Sequence, residues 1–272
     1  MEENKQDERQ EVVDEKAILP NITNIKSSES YVLPSKGLVY DLALKMPQSI
    51  TLRRMTTKED KIRMRNTSEN NIRKELLQAC IVEPGIDAGN LTLIDANYLL
   101  FRLRVLSLLD DTYKISVRCP HCGTEFIHQI NLSEVPVKYL EEDDLKLLKI
   151  ELPISKAKVD LAYPSLNTMI VASEKLADYF DMFPNADRAE QIYTTSASIY
   201  VQKVNGKDML TEEKDLWMDN LDIIDSRALR DVTQQLDNLY GYVDEIIGEC
   251  PQCSKDVPHG LPITSELFTP SK

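Results

Sequence analysis

The chain has 272 residues, of which 42% are hydrophobic and 28% charged, with a formal net charge of -13 and a pI near 4.8. That length and apolar content suffice for one or two ordinary cores, while the acidic balance argues against a phosphate backbone as main partner, since such binding rests on clustered Lys and Arg. The opening MEENKQDERQ is polar and acidic, which does not read as a secretory signal, and no uninterrupted apolar run reaches membrane length.

In chain order, residues 1–28 are charged with almost no apolar periodicity, which predicts a disordered acidic arm or one ordered only in a complex. In YVLPSKGLVY, Pro34 and Gly37 frame a turn between short extended pieces, and the alternation of Ile50 and Leu52 in SITLRRM reads as a strand. MTTKED places Glu59 three residues after Thr56, a capping box that starts a helix. The apolar set Ile72, Leu76, Leu77 and Cys80 continues that helix until Pro84 and Gly85 stop it. This region also holds Arg53, Arg54, Lys58, Lys61, Arg63, Arg65 and Arg73, a basic face that could meet an acidic partner or simply be solvated. Another helix is predicted from about Asp95 through Leu106, in the segment YLLFRLRVLSLL that Arg102 and Arg104 interrupt, and alternating strands then flank a first CxxC pair.

The plan then repeats. Residues 140–146, LEEDDLK, read as a linker between a first half over 29–140 and a second over 147–272. In KIELPISKAKVDLAYPSLN, Leu152-Pro153 echoes Leu33-Pro34, and Pro164-Ser165 opens a helix through Met169, Ala172 and Leu176. Asp225 begins a helix as Asp95 does, and Cys119 follows Asp95 by 24 positions while Cys250 follows Asp225 by 25. The predicted fold is α+β and mostly helical: two similar halves from an internal duplication, each with short strands, helices and a CxxC zinc knuckle, docked on a shared zinc.

The two pairs, VRCPHCGTEF and GECPQCSKDV, decide between redox and metal chemistry. A thioredoxin-type couple needs its first cysteine at a helix N-terminus, which lowers the thiol pKa. Here Phe126 and Ile130 after the first pair suit a strand, and Gly123 permits a tight knuckle turn, whereas Ser254 in the second copy is a weaker match. Tetrahedral zinc wants four ligands and one CxxC supplies two. Cys122 and Cys250 lie 128 positions apart, so the halves must dock to complete a set of Cys119, Cys122, Cys250 and Cys253. The expectation is one structural zinc per chain with no position open for substrate, the alternatives being disulfides, a site shared between subunits, or vestigial pairs. His121 and His128 stand as reserve ligands, and Cys80 reads as a small core residue.

Catalytic signatures are missing. The 8 glycines form neither GxxxxGK nor GxGxxG, the 3 histidines make no HExxH, and no serine sits in GxSxG. The order LPSKGLVY, MTTKED, DANYLLFRLRVLSL, CPHCG, a helical half, CPQC and LPITSELF resembles the baseplate hub assembly proteins of T-even-type contractile-tailed bacteriophages, over about residues 30–268. The chain departs from that pattern at Ser254 and in its Glu-Leu-Phe ending. The resemblance implies a non-enzymatic chaperone or scaffold for the central hub, working in the infected bacterium's cytoplasm or kept in the virion tail. Hub proteins and further copies of the chain are the expected partners, with neither nucleic acid nor membrane. Two other readings are open: a zinc-ribbon nucleic-acid or transcription-associated factor, against which stand the acidity and an aromatic fraction of 6%, and a CxxC thiol oxidoreductase, against which stands the strand context.

Overall fold

The computed structural model describes residues 27–268, apart from 45, 66, 244–245 and 262–264. Residues 1–26, nearly all of the predicted arm, lie outside the described residues. The fold is α+β with helix outweighing strand.

Strand β1 (Ser28–Val32) pairs antiparallel with β2 (Ser49–Arg53), which buries Ile50 and Leu52. Thr56 then caps α1 (Thr57–Arg63) with the anticipated capping box. The long helix expected from here to Cys80 is two helices. Ser68 supplies a second N-cap, its hydroxyl accepting from the Asn71 amide, and starts α2 (Glu69–Cys80). The intervening residues are rich in Asn, Thr and Ser, whose side chains compete for backbone bonds and favour caps over helix interiors. Ile72, Leu76, Leu77 and Cys80 do form the buried face of α2, and burial pushes the Cys80 thiol up to about 12.

Helix α3 (Leu93–Leu108) is the axis of the first core, with Ala96, Leu99, Leu100, Phe101 and Leu103 all at most 1% exposed. It is apolar nearly all round, so it is enclosed rather than laid on a surface. Its two arginines find partners inside. Arg104 is fully buried and donates to the carbonyls of Leu267 (2.6 Å), Asp110 (2.6 Å) and Thr112 (2.9 Å), tying the C-terminal segment to the helix end. The Arg102 guanidinium lies 5.1 Å from the ring centre of Tyr98 and 5.8 Å from that of Tyr242.

After α3 come the hairpin β3 (Thr112–Arg118) and β4 (Glu125–Asn131), short β5 (Val137–Lys138), then β6 (Lys149–Glu151), β7 (Lys158–Leu161) and α4 (Leu166–Met182), which Ser165 caps. Four elements not anticipated from the pattern follow: α5 (Arg188–Ser198), β8 (Val201–Val204), β9 (Lys207–Asp208) and α6 (Thr211–Asp219). The sheet order is β6-β7-β8-β9. Helix α7 (Ile223–Asp237), β10 (Gly241–Tyr242), β11 (Ile246–Glu249) and β12 (Asp256–His259) complete the described strands and α-helices.

Two buried carboxylates organise the helices that lead toward the hairpins. Asp95 and Asp225 are each the third residue of their helix and each 0% exposed, so both helices start two residues earlier than expected. Asp95 accepts from the Ser35 amide at 3.1 Å and the Tyr40 hydroxyl at 2.6 Å. Asp225 accepts from the amides of Ile154 (2.7 Å) and Ser155 (2.9 Å). In both cases the bonded turn follows a Leu-Pro pair, Leu33-Pro34 or Leu152-Pro153, with a lysine in the left-handed region, Lys36 or Lys156.

The apolar clusters do not divide at residues 140–146. The first core takes in Cys250, Val257, Leu261, Leu267 and Phe268 from the C-terminal end. The second gathers Leu140, Leu152, Leu161, Val201, Leu229 and Leu236, with Leu38 and Val39 from the first half against it. β5 pairs with β10 across the same boundary, and Thr92 and Ser165, the caps of α3 and α4, form a β-bridge.

Candidate metal centre

The β3–β4 hairpin alternates strictly, burying Tyr113, Ile115 and Val117 and exposing the residues between. The alternation carries Cys119 to the inside at 1% exposure. At the tip the Cys119 amide donates to Thr124 O and the Gly123 amide to Cys119 O, both at 2.9 Å. This closes a knuckle in which Gly123 takes φ +77°. The β11–β12 hairpin repeats each bond: Cys250 N to Lys255 O at 3.0 Å and Ser254 N to Cys250 O at 2.8 Å. Ser254 occupies the left-handed position at φ +53°, so the serine that looked like a weaker match makes the same turn.

The knuckles face each other. Cys119 Sγ lies 3.7 Å from Cys253 Sγ, and Cys122 Sγ lies 3.6 Å from Cys250 Sγ, so the first cysteine of each pair meets the second of the other. All four sulfurs lie within 4.8 Å of one another. A disulfide brings its sulfurs to about 2.05 Å, whereas four thiolates each about 2.3 Å from a zinc ion are about 3.8 Å apart along a tetrahedral edge. The observed separations fit the second arrangement, and the all-sulfur donor set suits zinc. The sulfurs also hold their protons unequally. Hydrogen bonding with Thr124 draws the Cys122 thiol down to about 6, while Cys253, despite its bond with the Lys255 amide, is pushed up to about 12 by desolvation and its sulfur neighbours. Four thiolates at this spacing would repel one another, and a cation held among them would offset that repulsion.

A second contact locks the hairpins further along. His128 Nδ1 on β4 lies 2.7 Å from His259 Nε2 on β12, with the rings edge to face at 4.9 Å. The approach needs Gly248 on β11, because a Cβ there would stand 2.9 Å from His128 Nδ1. His128 is thus engaged with His259 outside the four-sulfur cluster, and His121 is exposed at the knuckle tip. Sequence reasoning missed this pairing. The signal that could have found it is the equivalent placement of one histidine in the outgoing strand of each knuckle, nine residues after Cys119 and nine after Cys250.

A family described as T4 bacteriophage base plate protein matches residues 30–269. The chain belongs to this family. No curated protein and no solved structure matches it. It is a baseplate protein rather than a catalytic one, and no described helix is long and apolar enough to cross a membrane.

In this baseplate protein the basic stretch between Arg53 and Arg73 is largely committed within the fold. Arg53 pairs with Glu59 at 2.8 Å, Arg63 with Asp60 at 3.1 Å, Arg73 with Glu69 at 3.2 Å and Arg65 with Glu75, while Arg54 donates to Ser107 O. Arg53 draws the Glu59 carboxyl down to about 2, against the opposing effect of burial.

Proposed function

We propose that this baseplate protein acts as an assembly chaperone or scaffold for the central hub, and that one zinc ion held by Cys119, Cys122, Cys250 and Cys253 joins its two cysteine hairpins. The observation that carries the metal reading is the meeting of four sulfurs from knuckles 128 residues apart. Bound there, zinc would supply a fixed tetrahedral crosslink and, with four protein ligands, no open position for chemistry. The strands on both sides of each knuckle support a structural rather than a redox role. Hub proteins are the proposed partners, met in the cytoplasm of the infected bacterium and, where the protein is retained, in the virion tail.

We further read the chain as an internal duplication, with one half over 29–140, the other over 147–272 and an acidic arm over 1–28. The supporting features come in matched pairs: the two knuckles, the Leu-Pro turns, Asp95 with Asp225, and His128 with His259. The crossing of Ile246, Cys250, Val257, Leu261, Leu267 and Phe268 into the first core makes the proposed halves interlocked rather than separate.

Metal analysis of the purified full-length chain should find one zinc per chain, released with loss of stability on chelation. Two zincs per chain, or none in protein prepared anaerobically with zinc present, would overturn the shared site. Affinity purification from infected cells should recover hub components, and recovery of nucleic acid with strong salt dependence would favour the transcription-factor reading instead.

A further inference from the structure

An open groove of about 900 Å3 lies between β3 and β12, lined by residues 115–118 on one side and 257–261 on the other. Successive residues of a strand point to opposite faces, so a groove that touches all of 115–118 runs along the edge of β3 rather than over one face. That edge is open. Antiparallel ladders alternate bonded and non-bonded pairs. The Cys119 amide bonds Thr124 O at one end of the hairpin and the Leu132 amide bonds Asp111 O at the other, so the odd-numbered residues of β3 bond β4. The amides and carbonyls of Ser116 and Arg118 therefore point away from β4, and neither residue makes another backbone bond among the described residues. Both residues are exposed. Across the groove, the same alternation turns Pro258 of β12 outward, where it has no amide to donate.

The groove also differs in charge from the rest of the molecule. On a chain of net charge -13 its lining holds Arg73, Arg118 and His259 and no carboxylate. Arg73 is paired with Glu69 at 3.2 Å, and His259 is engaged with His128. Arg118 stands opposite Glu125 in the ladder, yet the two form no ion pair among the described residues. The side chains of Ile115 and Val117, on the other face of the strand, are buried against the first core.

We propose that the β3 edge takes up an extended acidic segment of a partner protein, which joins β3 and β4 as a third strand. The backbone groups of Ser116 and Arg118 supply the pairing bonds. Because side chains alternate and cross-strand neighbours interact, the segment's apolar residues lie beside Ile115 and Val117 and its carboxylates beside Arg118. A second copy offering the same edge would set Lys114 and Arg118 against their own kind, and like charges across strands are destabilising. The proposal deepens the scaffold reading, on which it rests for the occupant being a protein.

The test uses the full chain with its metal and a fluorescein-labelled peptide, Glu-Val-Glu-Val-Glu-Val with blocked ends, read by anisotropy. Controls are the same peptide with its backbone amides N-methylated, its lysine-for-glutamate counterpart, and a single-stranded DNA oligonucleotide. The acidic peptide should bind, more weakly as salt rises, and the controls should not. Ser116→Pro removes an edge amide without touching the bonds to β4, and should weaken the peptide at least about tenfold. Arg118→Glu should weaken it several-fold and flatten the salt dependence, with melting temperature and zinc content unchanged. Should the proline variant fail to fold, the N-methylated peptide and Arg118→Glu still decide. Failure of the acidic peptide to bind, equal binding of either control peptide, tighter binding of the oligonucleotide, or unchanged affinity in the variants would overturn the proposal. Self-association of the full chain that Ser116→Pro abolishes would also overturn it, by giving the edge to a second copy. Peptide binding can fail while hub components are still recovered from infected cells, so the two readings fall separately.

Discussion

The two cysteine hairpins reach one backbone geometry from different residues and different support. In β3–β4 the left-handed position is Gly123, and seven residue pairs stand behind the knuckle. In β11–β12 the position is Ser254 and the ladder has four pairs. The shorter hairpin is anchored by tertiary contacts: Cys250 and Val257 enter the first core, and Arg104 binds the carbonyl of Leu267 beyond it. A glycine is the cheap local way to make the turn, but a serine suffices where the surroundings over-determine the conformation.

The comparison breaks most severely if the four-cysteine cluster is disrupted. Cys250→Ser takes away a proposed ligand and also places a hydroxyl at a fully buried position, whereas Cys122→Ser takes away a proposed ligand from an exposed one. Both variants should lose bound zinc. The apparent melting temperature should fall by about 10 °C or more for Cys250→Ser, since structural zinc binding is coupled to folding, and by less for Cys122→Ser. Chelation of the wild type isolates the metal part, and an unchanged melting temperature under chelation would show that the hairpins dock without it.

The paired aspartates sharpen the comparison because they occupy like positions with opposite electrostatics. Burial raises the Asp95 carboxyl above its usual range, and Ser35, Tyr40 and Thr92 offset this in part. Burial also opposes ionisation of Asp225, but the amides of Ile154 and Ser155 outweigh it and hold that carboxyl below the usual range. Asp225 therefore contributes stability that is present above the unfolded carboxyl value of about 3.9 and is lost as pH falls through the lower folded value. Asp95 carries a cost above its raised folded value that is relieved as pH falls through it. Asp225→Asn should destabilise more than Asp95→Asn at neutral pH, since the ionised form is favoured at Asp225 and disfavoured at Asp95. Difference curves of melting temperature against pH, each variant minus wild type, should have opposite slopes on the acid side.

Much of this was legible in the sequence, for local reasons. The Thr56–Glu59 capping box, the alternation around CPHCG and the apolar face of α2 are short-range signals, and the structure has all three. The convergence of four cysteines followed from ligand count alone. What escaped depends on distant partners or on competition between local signals. The break at Ser68 arose because a strong cap interrupts an apolar period that continues beyond it. Arg102 and Arg104 read as interruptions of an apolar run, yet they are held inside by aromatic rings and by carbonyls as far away as Leu267. What the basic face hid is that neighbouring acids pair with Arg53, Arg63, Arg65 and Arg73.

A smaller break tests whether the histidine contact matters apart from the metal. Gly248→Ala would place a methyl 2.9 Å from His128 Nδ1 and 3.1 Å from its Cγ, forcing the ring away from His259. Overpacking of this kind typically costs about 1–3 kcal/mol, or several degrees of melting temperature in a chain of this size. Zinc content should stay at the wild-type level. Loss of zinc in this variant would mean that the histidine pair sets the sulfur geometry, and an unchanged melting temperature would mean that the ring simply turns aside.

The smallest expected effect comes from exchanging the two knuckle residues. Gly123→Ser introduces a side chain at φ +77°, where no atom lies within 4 Å of the new Cβ, so the cost is conformational rather than steric. A left-handed non-glycine residue costs about 1–2 kcal/mol, partly offset by the lower entropy of the unfolded chain. Ser254→Gly removes the same strain from the second knuckle, so its effect should be opposite in sign and under about 1 kcal/mol. If local strain is all that separates the knuckles, the double exchange should melt close to the wild type and bind one zinc. A double exchange that melts clearly lower than the two single effects combined would show that Ser254 does more than turn the chain, and that the hairpins are less alike than their hydrogen bonds suggest.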